Sequence, residues 1–210
     1  MQVAIPLFDG LTALDAVGPY EVLSRPPGWE LSFVAVEPGP KRTENGILEL
    51  TAPRSLAEVP RPDIVCVPGG RGTRGDQAEL VEWIRSAHEH SKWTTSVCTG
   101  ALLLGKAGVL QGLKATTYWT ALEKLRDYGA EPVSERVVEQ GKVITAAGVS
   151  SGIDMALRLV QLELGDEMAQ TIQLAIEYDP QPPFDAGSVE KAPPEIVARL
   201  RAALGRGENA

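Results

Sequence analysis

Residues that hold metals or form disulfides are scarce in this sequence, whose 210 residues include two cysteines and two histidines. So few cysteines exclude a disulfide framework and suit a reducing cytoplasm, and no Cys/His cluster has the spacing of a metal site. No apolar run approaches the roughly 18 residues that span a bilayer, and the first ten residues lack the features of a signal peptide. We therefore expect a cytoplasmic protein with no metal, no cofactor and no membrane partner.

Basic residues are too few to attract polyanions. Twenty lysines and arginines stand against 28 acidic residues, which leaves a formal charge of −8. A field of that sign repels the phosphates of nucleic acids, so the composition argues against nucleic acid as a partner. A chain of this length fits one domain with a substantial core. We expect a single domain over residues 1–204 and a flexible tail over residues 205–210.

Short apolar runs alternate with longer amphipathic patterns along most of the chain. Near-continuous apolar strands of this kind are typical of a mostly parallel sheet that is covered on both faces. The expected strands are the runs VAIPLF, LSFVAV, DIVCVP, TTSV, KATTYW and KVITAAG. We therefore predict an α/β sandwich. A small hairpin is expected at Asn45-Gly46, and a last helix over residues 194–204 follows an irregular, proline-rich stretch.

The stretch TTSVCTGALLLGKAG indicates a reactive cysteine. A β-branched run ends at Val97, a helix follows Cys98 at once, and small residues stand two positions to either side of the cysteine. This spacing resembles the nucleophile elbow G-x-S-x-G, whose sharp corner exposes the nucleophile at the edge of a sheet. Because the positive end of a helix dipole favours the thiolate, we expect Cys98 to be a nucleophile of lowered pKa.

A glycine-rich stretch precedes this corner. GRGTRG, Gly70 to Gly75, matches a dinucleotide-binding fingerprint. However, it does not follow the first strand of a βαβαβ half, and no acidic residue stands about 20 positions further on to hold a ribose. The alternative is a strand-to-helix turn at the carboxyl edge of the sheet. There the N–H groups of Gly69 and Gly70 are candidates for holding an oxyanion or a polar substrate atom.

A nucleophilic thiol needs a base or a charged partner, and histidine is poorly placed for that role. His88 and His90 end the helix that precedes the strand of Cys98, so we expect them at the opposite edge of the sheet. Cys66 lies in an apolar strand and is expected to be buried.

A carboxylate is the other candidate partner. Asp15 follows the first strand, so its helix begins at the same edge of the sheet as Cys98. In an apolar setting its pKa would rise and its carboxyl group would shuttle a proton. The pattern fits a helix N-cap equally well. Thr99 can donate a hydrogen bond, but it is no base near pH 7.

Several stretches of the sequence together resemble the ThiJ/PfpI superfamily. They are GLTALDAVGPYEVL, VPGG, TSVCTGALLLGKAGVLQG, KATTYW and ITAAGVSSGIDMAL, and IEYDPQPPFDAGS is similar to the C-terminal segment of the isonitrile hydratase branch. The resemblance covers about residues 1–188. It implies a flavodoxin-like three-layer sandwich, a homodimer with the site near the subunit interface, and a catalytic set of Cys98, Thr99 and Asp15.

The resemblance also implies a reaction. Cys98 would form a thioimidate with the terminal carbon of an isonitrile, and water would then convert it into an N-substituted formamide. Tyr118 and Trp119 are candidates for an apolar substrate pocket, and Tyr118 stands where relatives often have histidine. The alternatives are glyoxalase-like hydration of small α-dicarbonyls, and a noncatalytic ligand-sensing or redox-sensing protein, since the domain also resembles the amino-terminal half of AraC-type regulators.

Overall fold

A seven-stranded sheet forms the centre of the computed structural model, which describes residues 1–207. The strands in chain order are β1 (Gln2–Pro6), β2 (Glu30–Ala35), β3 (Gly39–Arg42), β4 (Glu49–Ala52), β5 (Arg54–Ser55), β6 (Ile64–Val67), β7 (Trp93–Val97), β8 (Lys114–Ala115), β9 (Glu131–Pro132), β10 (Val137–Gln140) and β11 (Val143–Ala146). The central sheet has the order β10-β11-β7-β6-β1-β2-β5. Its strands are parallel except for β10, which runs antiparallel to β11.

The α-helices of the described residues are α1 (Ala13–Leu23), α2 (Ala78–His90), α3 (Gly100–Lys106), α4 (Ser151–Leu164), α5 (Asp166–Ala175) and α6 (Pro194–Gly207). The helix α1 packs against α4, and α2 packs against α3. All four residues of β6 are buried, as expected for a central parallel strand with helices on both faces. The predicted α/β sandwich with a mostly parallel sheet is confirmed.

Small residues let the middle of α1 approach the first turn of α4 closely. A Cβ atom on Gly18 would lie 3.1 Å from Cγ1 of Ile153, and one on Gly152 would lie 2.9 Å from Cγ2 of Val97 and 3.2 Å from Cγ of Pro19. Contacts this short leave no room for a larger side chain. The middle of α1 therefore packs directly on the first turn of α4.

The hairpin predicted at Asn45-Gly46 is confirmed and connects β3 to β4. Oδ1 of Asn45 accepts hydrogen bonds from the Thr43 hydroxyl at 2.8 Å and from the Ile47 N–H at 3.2 Å. Gly46 adopts the positive φ of +74° that the turn requires, which glycine does without strain.

The strand predicted at KATTYW ends earlier than expected. Only Lys114 and Ala115 pair as β8, and a 3₁₀ helix, Trp119–Tyr128, replaces the expected α-helix. The Thr116 N–H donates to the side-chain Oγ1 of Thr145 at 2.9 Å instead of to a backbone carbonyl. The strand pairing of β8 with β9 therefore ends at Ala115, because the Thr145 side chain accepts the next backbone N–H.

The chain divides into two compact units, Met1–Ile176 and a second that begins at Glu177. The second unit contains the irregular proline-rich stretch and α6, as the sequence predicts. The single domain over residues 1–204 stays a prediction, and residues 208–210 of the predicted tail lie outside the described residues. Within residues 1–207, no helix combines the length and the apolar character needed to span a bilayer.

Candidate active site

Loops at the carboxyl ends of four adjacent strands build the site. These strands, β11, β7, β6 and β1, lie side by side in the sheet. The segments that follow them supply, in this order, Val149, then Cys98 and Thr99, then Gly69 and Gly70, and finally Asp15. The carboxyl edge of an open α/β sheet is where such folds place their ligands.

Cys98 occupies a sharp corner between β7 and α3, with a backbone φ of +56°. Residues other than glycine seldom adopt this conformation, and it is concentrated at functional sites. The Cys98 N–H donates to the carbonyl of Ala147 at 2.7 Å, and the Thr117 hydroxyl donates to the carbonyl of Cys98 at 2.6 Å. The carbonyl oxygen of Val67 fills the space that a Cβ of Gly100 would need. The small residue after the corner is therefore a steric requirement.

Asp15 is fully buried in the first turn of α1. Its Oδ2 accepts a hydrogen bond from the Gly69 N–H at 2.9 Å, whereas Oδ1 makes no hydrogen bond of normal geometry in the described chain. Burial raises the pKa of Asp15 to about 7, against the opposing effects of the Gly69 N–H and the nearby Cys98 thiol. The carboxyl group can therefore exchange a proton near neutral pH. The helix N-cap is Thr12, so the alternative interpretation of Asp15 as the cap is wrong.

Thr99 connects the corner to the loop after β6. Its Oγ1 accepts a hydrogen bond from the Gly70 N–H at 2.9 Å, and its hydroxyl donates to the Gly70 carbonyl at 3.2 Å. The expectation that the Gly69 and Gly70 amides face an oxyanion needs correction, because Asp15 and Thr99 already occupy both N–H groups. The two amides hold catalytic candidates in place instead.

Cys98 as a residue is only 5% exposed. Burial first, and then the negative charge of Asp15, raise its pKa, while the N–H groups of Thr99 and Val149 and the Thr99 side chain act against the rise. The expected thiolate of lowered pKa is therefore wrong. The hydrogen bonds of Thr99 and Val149 to the sulfur do not outweigh its desolvation. Near neutral pH the sulfur holds its proton beside a carboxyl group that is ready to accept one.

Two aromatic side chains follow Thr117, whose hydroxyl binds the Cys98 carbonyl. Tyr118 and Trp119 are half-buried, with ring centroids 5.9 Å apart. Burial raises the pKa of the Tyr118 phenol, and the charges of Cys98 and Glu44 contribute to the rise. A Cβ on Gly148 would lie 3.1 Å from Cδ2 of Tyr118. The loop after β11 therefore leaves space for this ring.

The histidines lie away from the site and the second cysteine is buried, as predicted. Nδ1 of His88 is 2.8 Å from Oγ1 of Thr94, at the start of β7 and so at the opposite end from Cys98. His90 is exposed. Cys66 is fully buried in β6, where burial raises the pKa of its thiol to about 12.

Two residues of the site carried no sequence signal. Val149 has a φ of +27°, an outlier for a β-branched residue, and its N–H interacts with the Cys98 sulfur. Glu44, in the turn between β3 and β4, accepts a hydrogen bond from the Thr12 hydroxyl at 3.0 Å. A valine before a helix and a glutamate in an exposed turn are ordinary features of a sequence, so only the fold shows where they lie.

The structure offers no support for dinucleotide binding by GRGTRG. Arg71–Arg74 is a short 3₁₀ turn rather than the start of a long helix, and the Gly70 N–H is bound to Thr99. A pyrophosphate site needs free N–H groups at a helix N-terminus. Among the described residues, no group of three or more His, Cys, Asp and Glu side chains is arranged to hold a metal ion.

Several known proteins are similar to this chain in sequence and in fold. The DJ-1/PfpI family model matches residues 1–162. Isonitrile hydratase of Pseudomonas putida is 41% identical over 207 residues, which cover 97% of this chain and 90% of that protein. The crystal structure of a ThiJ/PfpI family protein from Pseudomonas syringae is 33% identical, with a TM-score of 0.94, and the match covers 98% of this chain and 86% of that one. The HTH-type transcriptional regulator CdhR of Pseudomonas aeruginosa is 26% identical over 170 residues, which cover 79% of this chain and 50% of the regulator.

Proposed function

Because the chain belongs to the DJ-1/PfpI family, we propose that it is an isonitrile hydratase, a lyase that adds water to R–N≡C and gives the N-substituted formamide R–NH–CHO. The observation that carries this proposal is the pairing of a corner cysteine with a buried carboxyl group whose pKa is about 7. The 41% identity to the Pseudomonas putida enzyme over nearly the whole chain supports it. In that reaction Cys98 is the nucleophile, Asp15 the acid and base, and Thr99 the residue that orients the sulfur.

The first step forms a covalent bond between the sulfur and the substrate. The Asp15 carboxylate takes the proton from Sγ of Cys98 as the sulfur bonds to the terminal carbon of the isonitrile. Asp15 then delivers that proton to the same carbon, which gives the thioimidate R–N=CH–S–Cys98 and restores the carboxylate. Because a base lies close to the thiol, Cys98 does not need to be ionised before the substrate binds. Burial disfavours the ionised thiol here.

The second step consumes the water. Asp15 takes a proton from a water molecule as its oxygen attacks the thioimidate carbon, and the nitrogen receives that proton. The C–S bond then breaks, the hydroxyl proton returns to the sulfur through Asp15, and R–NH–CHO leaves. One isonitrile and one water give one formamide, and both side chains end as they began.

Backbone N–H groups stabilise the charge that develops during these steps. The amides of Thr99 and Val149 act on the Cys98 sulfur and lower its pKa relative to burial alone. Such donors favour a transient thiolate in a site that excludes water. We assign the Tyr118 and Trp119 rings, which follow Thr117 and its hydrogen bond to the Cys98 carbonyl, to the R group of the substrate.

The test of this function is product analysis with a panel of neutral alkyl and aryl isonitriles. We expect one N-substituted formamide for each isonitrile consumed. No formamide from any member of the panel would reject the proposal. Incubation with methylglyoxal and with glyoxal tests the alternative, a glyoxalase-like activity. That activity would give lactate from methylglyoxal and glycolate from glyoxal.

We also propose that the enzyme works as a homodimer in the cytoplasm. Large apolar side chains are exposed on α1, at Leu14 next to Asp15 and at Tyr20, and on the β3–β4 turn at Ile47 and Leu48. Exposed apolar patches of this kind are typical of contact surfaces. Light scattering on the purified protein is expected to give twice the mass of the chain, and a monomer mass would contradict the dimer.

A further inference from the structure

Glu44 lies in the turn between β3 and β4, and its backbone N–H and both of its carboxylate oxygens form hydrogen bonds. Its N–H donates to the carbonyl of Leu11 at 2.9 Å. Oε1 accepts the Thr12 hydroxyl at 3.0 Å, and Oε2 accepts the Arg71 N–H at 3.3 Å. The side chain remains exposed to solvent. One carboxylate therefore joins three separate segments of the chain.

Two of these segments carry the catalytic candidates. Thr12 is the N-cap of α1, and its carbonyl accepts the Asp15 N–H at 3.1 Å. Arg71 follows Gly70 directly, and the Gly70 N–H holds the Thr99 hydroxyl. Through Thr12, one oxygen of Glu44 is connected to the backbone of Asp15. Through Arg71 and the neighbouring Gly70, the other oxygen is connected to Thr99.

The backbone joins the same segments. Leu11 forms isolated bridges with Thr43 on one side and with Gly70 on the other. The Thr12 N–H donates to the Gly69 carbonyl at 2.9 Å. Because the loops already meet, a small displacement at Glu44 reaches both Asp15 and Thr99. A displacement of about 1 Å at a catalytic group costs on the order of 100-fold in rate.

We propose that Glu44 is a positioning residue of the candidate site, whose carboxylate ties the loop before Asp15 to the loop after Gly70 and whose negative charge acts on Asp15 from the solvent side. The inference rests on the proposed role of Asp15 as the acid and base. Glu44 touches neither the sulfur nor the substrate in this account, so it acts through the residues it holds.

The charge of Glu44 adds to the groups that already face Asp15. Burial is the largest cause of the raised pKa of Asp15, and the negative charge of Glu44 raises it further. The other titratable groups that interact with Asp15 are Cys98 from the corner after β7 and Cys66 from β6. Tyr118 interacts with both Glu44 and Cys98.

The test uses Glu44→Gln, Glu44→Ala and the matched control Glu37→Gln, an exposed carboxylate in the bend after β2. The carboxyl-carbon resonance of Asp15, identified with Asp15→Asn, is titrated by NMR in each full-length protein without substrate. We expect the midpoint to move to lower pH in both Glu44 variants and to stay in place in Glu37→Gln. An unchanged midpoint in Glu44→Gln would overturn the inference.

A second readout separates positioning from charge. With an isonitrile substrate, we expect Glu44→Ala to lower kcat about tenfold with little change in KM, and Glu44→Gln to recover part of that loss because its amide oxygen still accepts one hydrogen bond. Equal activity of Glu44→Ala and wild type would contradict the positioning role. If the wild type makes no formamide, the proposed function fails, and the NMR titration still decides the effect of Glu44 on Asp15.

Discussion

Oδ2 of Asp15 accepts a hydrogen bond of 2.9 Å from the backbone N–H of Gly69. This bond joins a helix that follows β1 to a loop that follows β6, and so fixes the carboxyl group next to the corner at Cys98. The tight packing around this bond also explains why residue 69 is glycine. A Cβ at position 69 would lie 2.5 Å from the Thr99 nitrogen and 2.7 Å from its Oγ1.

Gly69→Ala therefore tests how tightly this junction is packed. The added methyl group must displace Thr99 and, with it, the backbone that holds Asp15. We expect a loss of about 1–3 kcal/mol in the free energy of unfolding, as for other overpacked sites, and a large loss of activity. The control is Gly187→Ala, where a Cβ meets nothing within 4 Å. Equal urea midpoints for the two variants would contradict the account.

Thr99→Val removes a hydroxyl without changing the shape of the side chain. The Gly70 N–H loses its acceptor, and an unsatisfied buried donor costs about 1–3 kcal/mol. The loss of the Thr99 side-chain interaction also raises the pKa of Cys98 further. We expect kcat to fall about 10-fold to 100-fold. Thr99→Ser keeps the hydroxyl and should keep most of the activity, and equal losses in the two variants would reject this role for the hydroxyl.

The pH dependence of turnover follows from the raised pKa of Asp15. In the proposed reaction the first step needs the carboxylate, and the carboxyl group loses its proton at about pH 7. We therefore expect kcat/KM to rise with pH through an apparent pKa near 7 and then to level off while the thiol keeps its proton. A profile that is flat from pH 5 to 8 would show that Asp15 does not act as the base.

Stability should change with pH in the opposite direction. Below pH 3.8 both the folded and the unfolded chain hold the Asp15 proton, and between 3.8 and about 7 only the folded chain does. The free energy of unfolding contributed by Asp15 therefore falls across this window, by at most about 4 kcal/mol at about 1.4 kcal/mol per pKa unit. Asp15→Asn lacks this titration. From urea unfolding, we expect the free energy of unfolding of wild type, relative to that of Asp15→Asn, to be lower at pH 8 than at pH 5.

Much of this site follows from local patterns in the sequence. The break from β-branched residues to Cys98 and then to a leucine run predicts the corner, since a strand that turns at once into a helix leaves one side chain at the edge of the sheet. Asn45-Gly46 predicts the hairpin because a tight turn needs positive φ. The alternation of apolar strands and amphipathic helices predicts the mostly parallel sheet.

The electrostatics could not be predicted in the same way. The corner suggests a thiolate because the dipole of α3 is visible in the sequence, whereas the burial of Cys98 and the charge of Asp15, which raise the pKa of the thiol, arise only in the fold. The Gly69 and Gly70 amides look available until the fold brings Asp15 and Thr99 to them. Glu44 is an ordinary turn residue until two distant loops meet its carboxylate.

The most direct test of the central claim is formamide formation from cyclohexyl isonitrile by wild type, Cys98→Ala and Asp15→Asn, with Cys66→Ala as the cysteine control. We predict that wild type and Cys66→Ala form the formamide, and that each site variant loses about 1,000-fold or more of kcat while its far-UV circular dichroism stays unchanged. A folded Cys98→Ala or Asp15→Asn protein that turns over at the wild-type rate would contradict the account.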